Sequence, residues 1–369
     1  MLKTQETVKN QDHLAVDAIR ELLDGVPGVE IQSIGDDRKI SLQYGFGGVI
    51  GFSHDRNDYM LVIETKSSGA PRFVRSGVLQ LESNTRRFQQ SSDAGAGRRL
   101  IPILVSPYLS PDSRNICVEN NTAYLDLVGN ARIVFDNVYI ERSVAEKPAV
   151  ETRSLRSVFT PKAAAILRVL LSEPDRPWRV AELSAKTGVS FGHVSNVRKA
   201  LLEREWAETR KDGIVLAKPA RVLDAWRGHY RASDSKTILG YTHLHGTEFE
   251  KQLRGVLNSD PSRPRAIFSK HSAARWLAPF GRTTTQSFYV DEPGIEAVKN
   301  ALALAPADRG ANVVLQVPTD EGLFDDANEP APVVFCTSPV VTYLDLWNGT
   351  GRDREAAEHL AGELFPWLR

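Results

Sequence analysis

The chain has 369 residues, 41% hydrophobic and 25% charged, with 46 Lys/Arg against 46 Asp/Glu. That length exceeds one ordinary core and predicts two or three domains, and the neutral balance excludes an overall basic protein, leaving room only for a local basic face. The polar opening MLKTQETVKNQDH lacks a signal-peptide core, no apolar run approaches the roughly 20 residues that cross a bilayer, and Cys117 and Cys336 lie far apart without metal-ligand spacing. A cytoplasmic, non-membrane protein with reduced, buried thiols is expected.

Residues 1–145 read as an α/β layer. LAVDAIRELLDG puts Leu14, Ala18, Ile19, Leu22 and Leu23 at helical spacing, with Gly25 placed to stop the helix. Strand-like runs follow in GVEIQSI, KISLQY, GGVIGFS and YMLVIETKS. RSGVLQLESNTRRF predicts a helix and LIPILVSPYL a buried strand; AYLDLVGNARIVF and VYIER close the segment. Helix, strand cluster, helix and strand predict a sheet covered on both faces.

The run 61-LVIETKS-67 ends an apolar strand in Glu64, with Lys66 two places on. Side chains alternate along a strand, so both leave it on the same side. The order of elements around this ExK resembles the restriction-endonuclease-like, or PD-(D/E)xK, fold. The resemblance implies Glu64 as a Mg²⁺ ligand, Lys66 as the group that orients water, Glu21 as an acid from the first helix, and a further acid on the strand before ExK. GGVIGFS carries no such acid. Asp55 and Asp58 fall in the turn SHDRND, and Asp36 and Asp37 in another expected turn. The segment is therefore expected to keep a nuclease frame without a full ligand set, Glu64 and Lys66 remaining as an ion pair, with no metal or cofactor. The alternative is a Mg²⁺-dependent nuclease. GFGGVIG precedes a strand rather than opening a helix after one, so it does not read as a dinucleotide loop.

SVAEKPAVETR loses the apolar rhythm and reads as a linker. Residues 154–232 are expected to be a helical module. Thr160 caps 160-TPKAAAILRVLL-171, with Pro161 in its first turn. WRVAELSAKTG stops at Gly188. A further helix starts at Ser190 in 190-SFGHVSNVRKALLEREW-206, with Val194, Val197, Leu201 and Leu202 as its buried stripe. Helix, Gly-containing turn and helix make a helix-turn-helix, and AETRKDGIVLAKP predicts a hairpin turning at Asp212-Gly213, a wing. From Glu151 to Arg231 there are 16 Lys/Arg and 9 Asp/Glu, a net of +7, balanced by −7 in the rest. That is the footprint of a phosphate-binding domain, although winged helices also serve as protein-interaction modules. The residues expected at double-stranded DNA are Ser190, His193, Ser195, Asn196, Arg198, Lys199, Arg210 and Lys211.

Residues 236–369 mix strands (RAIFS, SFYV, NVVLQV, APVVFCT) with helices in SPVVTYLDL and DREAAEHLAGELFPWL, an α/β accessory domain expected to position the wing or to provide a self-association surface. His243 and His245 in YTHLHG have strand spacing without an acidic or cysteine partner, and read as a hydrogen-bonded pair. Taken together, AYLDLVGNARI, the winged-helix run and SPVVTYLDLW…DREAAEHL resemble the AbiEi-type antitoxins and transcriptional regulators of type IV toxin–antitoxin systems. That resemblance implies a DNA-binding regulator of transcription and a nucleotidyltransferase toxin counteracted without a stable complex. The simplest members of the group begin near their winged helix, whereas here a nuclease-like segment precedes it.

Overall fold

The computed structural model describes residues 2–32, 37–91, 93, 97–145, 148–149, 151, 157–231, 234–257, 265–281, 284–307 and 309–368. They form a mixed α/β protein of two units, residues 1–154 with 203–205, and residues 155–202 with 206–369.

The first unit runs α1 (Leu2–Asp24), β1 (Glu30–Gln32), α2 (Asp37–Tyr44), β2 (Gly48–His54), β3 (Asn57–Thr65), α3 (Pro71–Gln89), β4 (Arg99–Ser106), α4 (Pro111–Glu119), β5 (Ala123–Asp126), β6 (Ala131–Phe135) and β7 (Val138–Arg142). Its strands lie in one sheet in sequence order. β1 to β3 are antiparallel, β3, β4 and β5 parallel, and β5 to β7 antiparallel. Two-residue periodicity sorts β3 between two cores. Tyr59, Leu61 and Ile63 join Ala15, Ile19, Leu22 and Leu23 of α1. Met60 and Val62 join Val74, Val78 and Leu81 of α3. A central strand buried on both faces needs an unbroken apolar run, which 60-MLVI-63 supplies.

Two expectations change here. KISLQY forms α2, not a strand. Ile40, Leu42 and Tyr44 mimic strand alternation, but Ile40 and Tyr44 are also four apart, so a helix turns both toward the α3 core and leaves Leu42 77% exposed. Asp37 accordingly opens a helix instead of sitting in a turn, and Asp36 lies outside the described residues. PDSRNICVE forms α4. Ser110 caps it by accepting from Ser113 N at 3.2 Å, and Pro111 occupies its first turn.

In the second unit α5 (Pro161–Ser172), α6 (Val180–Thr187) and α7 (Phe191–Glu203) precede the hairpin β8 (Ala207–Arg210) and β9 (Gly213–Leu216), then α8 (Pro219–His229). The chain continues through β10 (Asp234–Tyr241), α9 (Gly246–Leu257), β11 (Ala266–Phe268), α10 (Lys270–Leu277), β12 (Gln286–Val290) and α11 (Glu292–Ala301). It ends with β13 (Ala305–Pro306), β14 (Val313–Pro318), α12 (Gly322–Asp325), β15 (Asn328–Ala331), β16 (Val334–Cys336), α13 (Pro339–Trp347) and α14 (Gly351–Leu364). β10 to β16 form a second mixed sheet in the order β13-β10-β14-β12-β11-β16-β15.

The helical segment and the C-terminal segment were expected as separate domains, 154–232 and 236–369. They share one core. Ile166, Leu167 and Leu170 of α5, Val197 and Leu201 of α7 and Trp226 of α8 cluster with Val340, Tyr343 and Leu344 of α13 and Leu360 of α14. α13 is apolar nearly all round, burying residues 340 to 346, so it needs partners on every side. Arg168 adds a polar tie, donating to Asp320 at 3.0 Å and to Asp326.

Candidate functional site

The end of β3 is the first candidate. Lys66 follows the strand and extends its ladder, donating its N–H to Val105 O at 2.9 Å. Its Nζ donates to Glu64 Oε1 at 2.6 Å and to Gln80 Oε1 of α3 at 3.1 Å, so Glu64 and Lys66 do share a side. Gly77 makes this possible. A Cβ there would meet Leu104 Cδ1 at 2.7 Å and Lys66 Cε at 2.8 Å, so the bare α-carbon leaves room for the lysine stem against α3. Burial lifts the Glu64 carboxyl above its ordinary range, while the hydrogen bond and charge of Lys66 pull it back.

The α1 carboxylate that reaches the end of β3 is Asp12, not Glu21. Glu21 is exposed, nine residues along α1, and so about 180° round the helix from Asp12. Asp12 Oδ1 accepts from Thr65 Oγ1, and burial raises its carboxyl too, opposed by that hydrogen bond. Thr65 belongs to the α1 face of β3 and Glu64 to the α3 face, so the two carboxylates reach the strand end from opposite sides, near enough for the Asp12 charge to add to the rise of Glu64. A Cβ at Gly47 would stand 3.0 Å from Asp12 Oδ1, and the β2 side offers no acid at this end. Asp55 and Asp58 flank the far end of the β2–β3 hairpin, where Ser53 pairs Asp58. Six residues of strand, about 20 Å, separate Asp58 from Glu64. These residues do not fit the convergent oxygen cage that Mg²⁺ needs. Among the described residues no group of three or more His, Cys, Asp or Glu is placed to hold a metal ion.

The second candidate is the outer surface of α7 and the hairpin behind it. α6 ends in Gly188 at φ 66°, the left-handed value that ends a helix with least strain at glycine, and three residues later α7 begins. Ser190 precedes α7, its carbonyl accepting from Val194 N at 3.0 Å. Val194, Val197 and Leu201 go into the core, which leaves Ser195, Asn196 and Lys199 on the outside. The side chains of Ser190, Ser195, Asn196 and Lys211 have no hydrogen-bond partner among the described residues. Trp178 pairs with Ile214 through both backbone hydrogen bonds, at 2.8 and 2.9 Å, and so braces the hairpin from a third side.

Three of the residues expected at DNA have burial or hydrogen bonds of their own within the chain. His193 is half-buried and turns Nε2 inward, where it has no partner among the described residues, so that nitrogen does not face outward. Arg198 donates to Thr209 Oγ1 at 3.1 Å and ties α7 to β8. Arg210 donates to Glu208 Oε1 at 2.9 Å. Phe191, the first residue of α7, stands outside the residues expected at DNA and is 61% exposed. An aromatic beside the cap of a helix reads as a core residue; only the observation that Val194, Val197 and Leu201 complete the stripe without it pointed the other way. Asp12 was passed over because it precedes the apolar rhythm that marked the helix.

Two aspartates in the distinctive blocks are structural. Asp126 of AYLDLVGN is 1% exposed and accepts from the backbone N–H groups of Leu109, Val128, Gly129 and Asn130 at 2.9 to 3.1 Å. Asp345 of TYLDLW accepts from Tyr230 OH at 2.7 Å and Tyr289 OH at 3.1 Å. Burial, then the neighbouring Asp345 charge, holds the Tyr230 hydroxyl well above the ordinary tyrosine range. His243 and His245 lie beyond the end of β10, not on one strand face, and His245 Nδ1 hydrogen-bonds the His243 carbonyl at 3.0 Å. No helix among the described residues is long and apolar enough to cross a membrane. Comparison with known protein families, curated proteins and solved structures finds no match.

Proposed function

We propose that the chain is a sequence-specific DNA-binding regulator of transcription, in which residues 161–216 act as a winged helix-turn-helix and α7 reads the major groove. The observation that carries the reading is the outer face of α7. Ser195 and Asn196 are short, polar, exposed and unpartnered among the described residues, directly beside a hairpin that carries Lys211. Such side chains reach base edges, and flanking cations hold phosphates. The net charge of +7 over residues 151–231 supports it independently.

Within this reading the first unit is a restriction-endonuclease-like frame that cleaves nothing. Its carboxylates approach β3 from opposite sides, which favours silence over the Mg²⁺-dependent nuclease alternative. The likeness of the LDLVGN, winged-helix and TYLDLW blocks to AbiEi-type antitoxins supports a role in a type IV toxin–antitoxin system, with a nucleotidyltransferase toxin as functional counterpart and a cytoplasmic location.

Selection of duplexes from a random library by the full chain tests the proposal. A recurring sequence motif is expected, bound with an affinity that falls as salt rises. Plasmid DNA is expected to remain intact in millimolar Mg²⁺ or Mn²⁺. Absence of any enriched motif contradicts sequence reading, and cleavage that Glu64→Ala abolishes contradicts catalytic silence.

A further inference from the structure

We infer that Phe191 reads thymine, its ring packing on the C5-methyl of a thymine in the major groove. The inference rests on the DNA-binding reading above and adds a specificity-determining residue to it. Phe191 is 61% exposed, and among the described residues 157–231 no other large hydrophobic side chain is exposed. It is not a displaced core residue, because Val194, Val197 and Leu201 already fill the buried side of α7. Its surroundings are small. Gly192 next to it has open space where a Cβ would stand. At 100° per residue, Ser195 lies about 40° round the helix from Phe191, and Lys199 about 40° further. One strip of α7 thus carries Phe191, Ser195 and Lys199 in order along its length.

The chemistry selects the occupant. The apolar feature that distinguishes bases in the major groove is the thymine methyl. A protein partner would need a broad patch, about 800 Å² on each side of a standard interface, and here a single ring stands among polar and basic groups. The net charge of +7 over residues 151–231 matches a phosphate-flanked site.

The test uses the full chain and a duplex obtained by selection. Each thymine of the motif is replaced in turn by uracil, which lacks only the methyl. At one thymine the exchange should weaken the wild type about four-fold, the value of one buried methyl-sized group. Phe191→Ala should lose about the same affinity for the thymine duplex and bind thymine and uracil duplexes alike, with an unchanged thermal unfolding curve. Phe191→Leu should keep the discrimination. The inference is overturned if uracil at every position leaves the wild type unaffected, a result that needs no variant to fold. It is overturned equally if Phe191→Ala stays as sensitive to the exchange as the wild type. Both results leave the DNA-binding reading standing. A selection that enriches no motif overturns that reading, and this inference with it.

Discussion

Lys66 Nζ lies 2.6 Å from Glu64 Oε1 and 3.1 Å from Gln80 Oε1, so one ammonium ties the end of β3 to α3. Burial nevertheless raises the Glu64 carboxyl above its ordinary value of 4.5. The folded carboxyl then keeps its proton to higher pH than the unfolded one, and folding takes up protons in that window. The Glu64 contribution to stability is therefore present at low pH and lost as pH rises from the ordinary carboxylate range through the raised value. Asp12, raised by burial, has the same sign. Glu64→Gln is expected to flatten this fall. Urea midpoints of the first unit at several pH values check it, and a wild-type-minus-variant difference that stays constant with pH contradicts it.

The two thiols give each unit its own reporter. Cys117 and Cys336 are both 0% exposed, and burial pushes both up to about 12. A buried protonated thiol is a poor nucleophile. Native protein near pH 8 is expected to resist alkylation at both. In rising urea, alkylation of Cys117 should follow opening of the first unit and that of Cys336 opening of the second, read by peptide mass. Rapid modification of either in the native protein contradicts the burial on which this rests.

Gly77→Ala places a methyl 2.7 Å from Leu104 Cδ1 and 2.8 Å from Lys66 Cε. Overpacking of this kind costs about 1–3 kcal/mol, despite the better helix propensity of alanine. The Cys117 midpoint should fall, with the Cys336 midpoint unchanged. A stabilised first unit would show that α3 and Lys66 separate at no cost.

Arg168 is buried, with a side chain 3% exposed, between Asp320 and Asp326. Arg168→Ala strands both carboxylates and should destabilise the second unit by about 3–5 kcal/mol. The Cys336 midpoint reads it. Arg168→Leu with Asp320→Asn and Asp326→Asn should recover much of the loss, because no uncompensated charge remains.

The strands of the first unit were legible because β3 and β4 are apolar runs bounded by turns. The same rule failed at KISLQY, where Ile40, Leu42 and Tyr44 satisfy a strand period and Ile40 and Tyr44 also satisfy a helical one. Helix α4 escaped notice because it is short and buries only Ser113, Ile116 and Cys117. At the candidate sites, Glu64 with Lys66 and the outer residues of α7 could be read from spacing alone. Asp12 could not, since what places it is a contact with Thr65, 53 residues away. The shared core of α5 and α13 was hidden for the same reason, as local periodicity carries no record of which apolar faces meet.

In the proposed reading α7 reads bases while the wing holds phosphates. Affinity of the full chain for a selected duplex and for random duplex, each across a salt series, tests it in the wild type, Asn196→Ala and Lys211→Ala. Asn196→Ala should weaken the selected duplex by about 1–3 kcal/mol and leave random duplex nearly unchanged. Lys211→Ala should weaken both alike and lower the salt slope by about one unit. If both variants bind the selected duplex as the wild type does, α7 and its wing are not the reader.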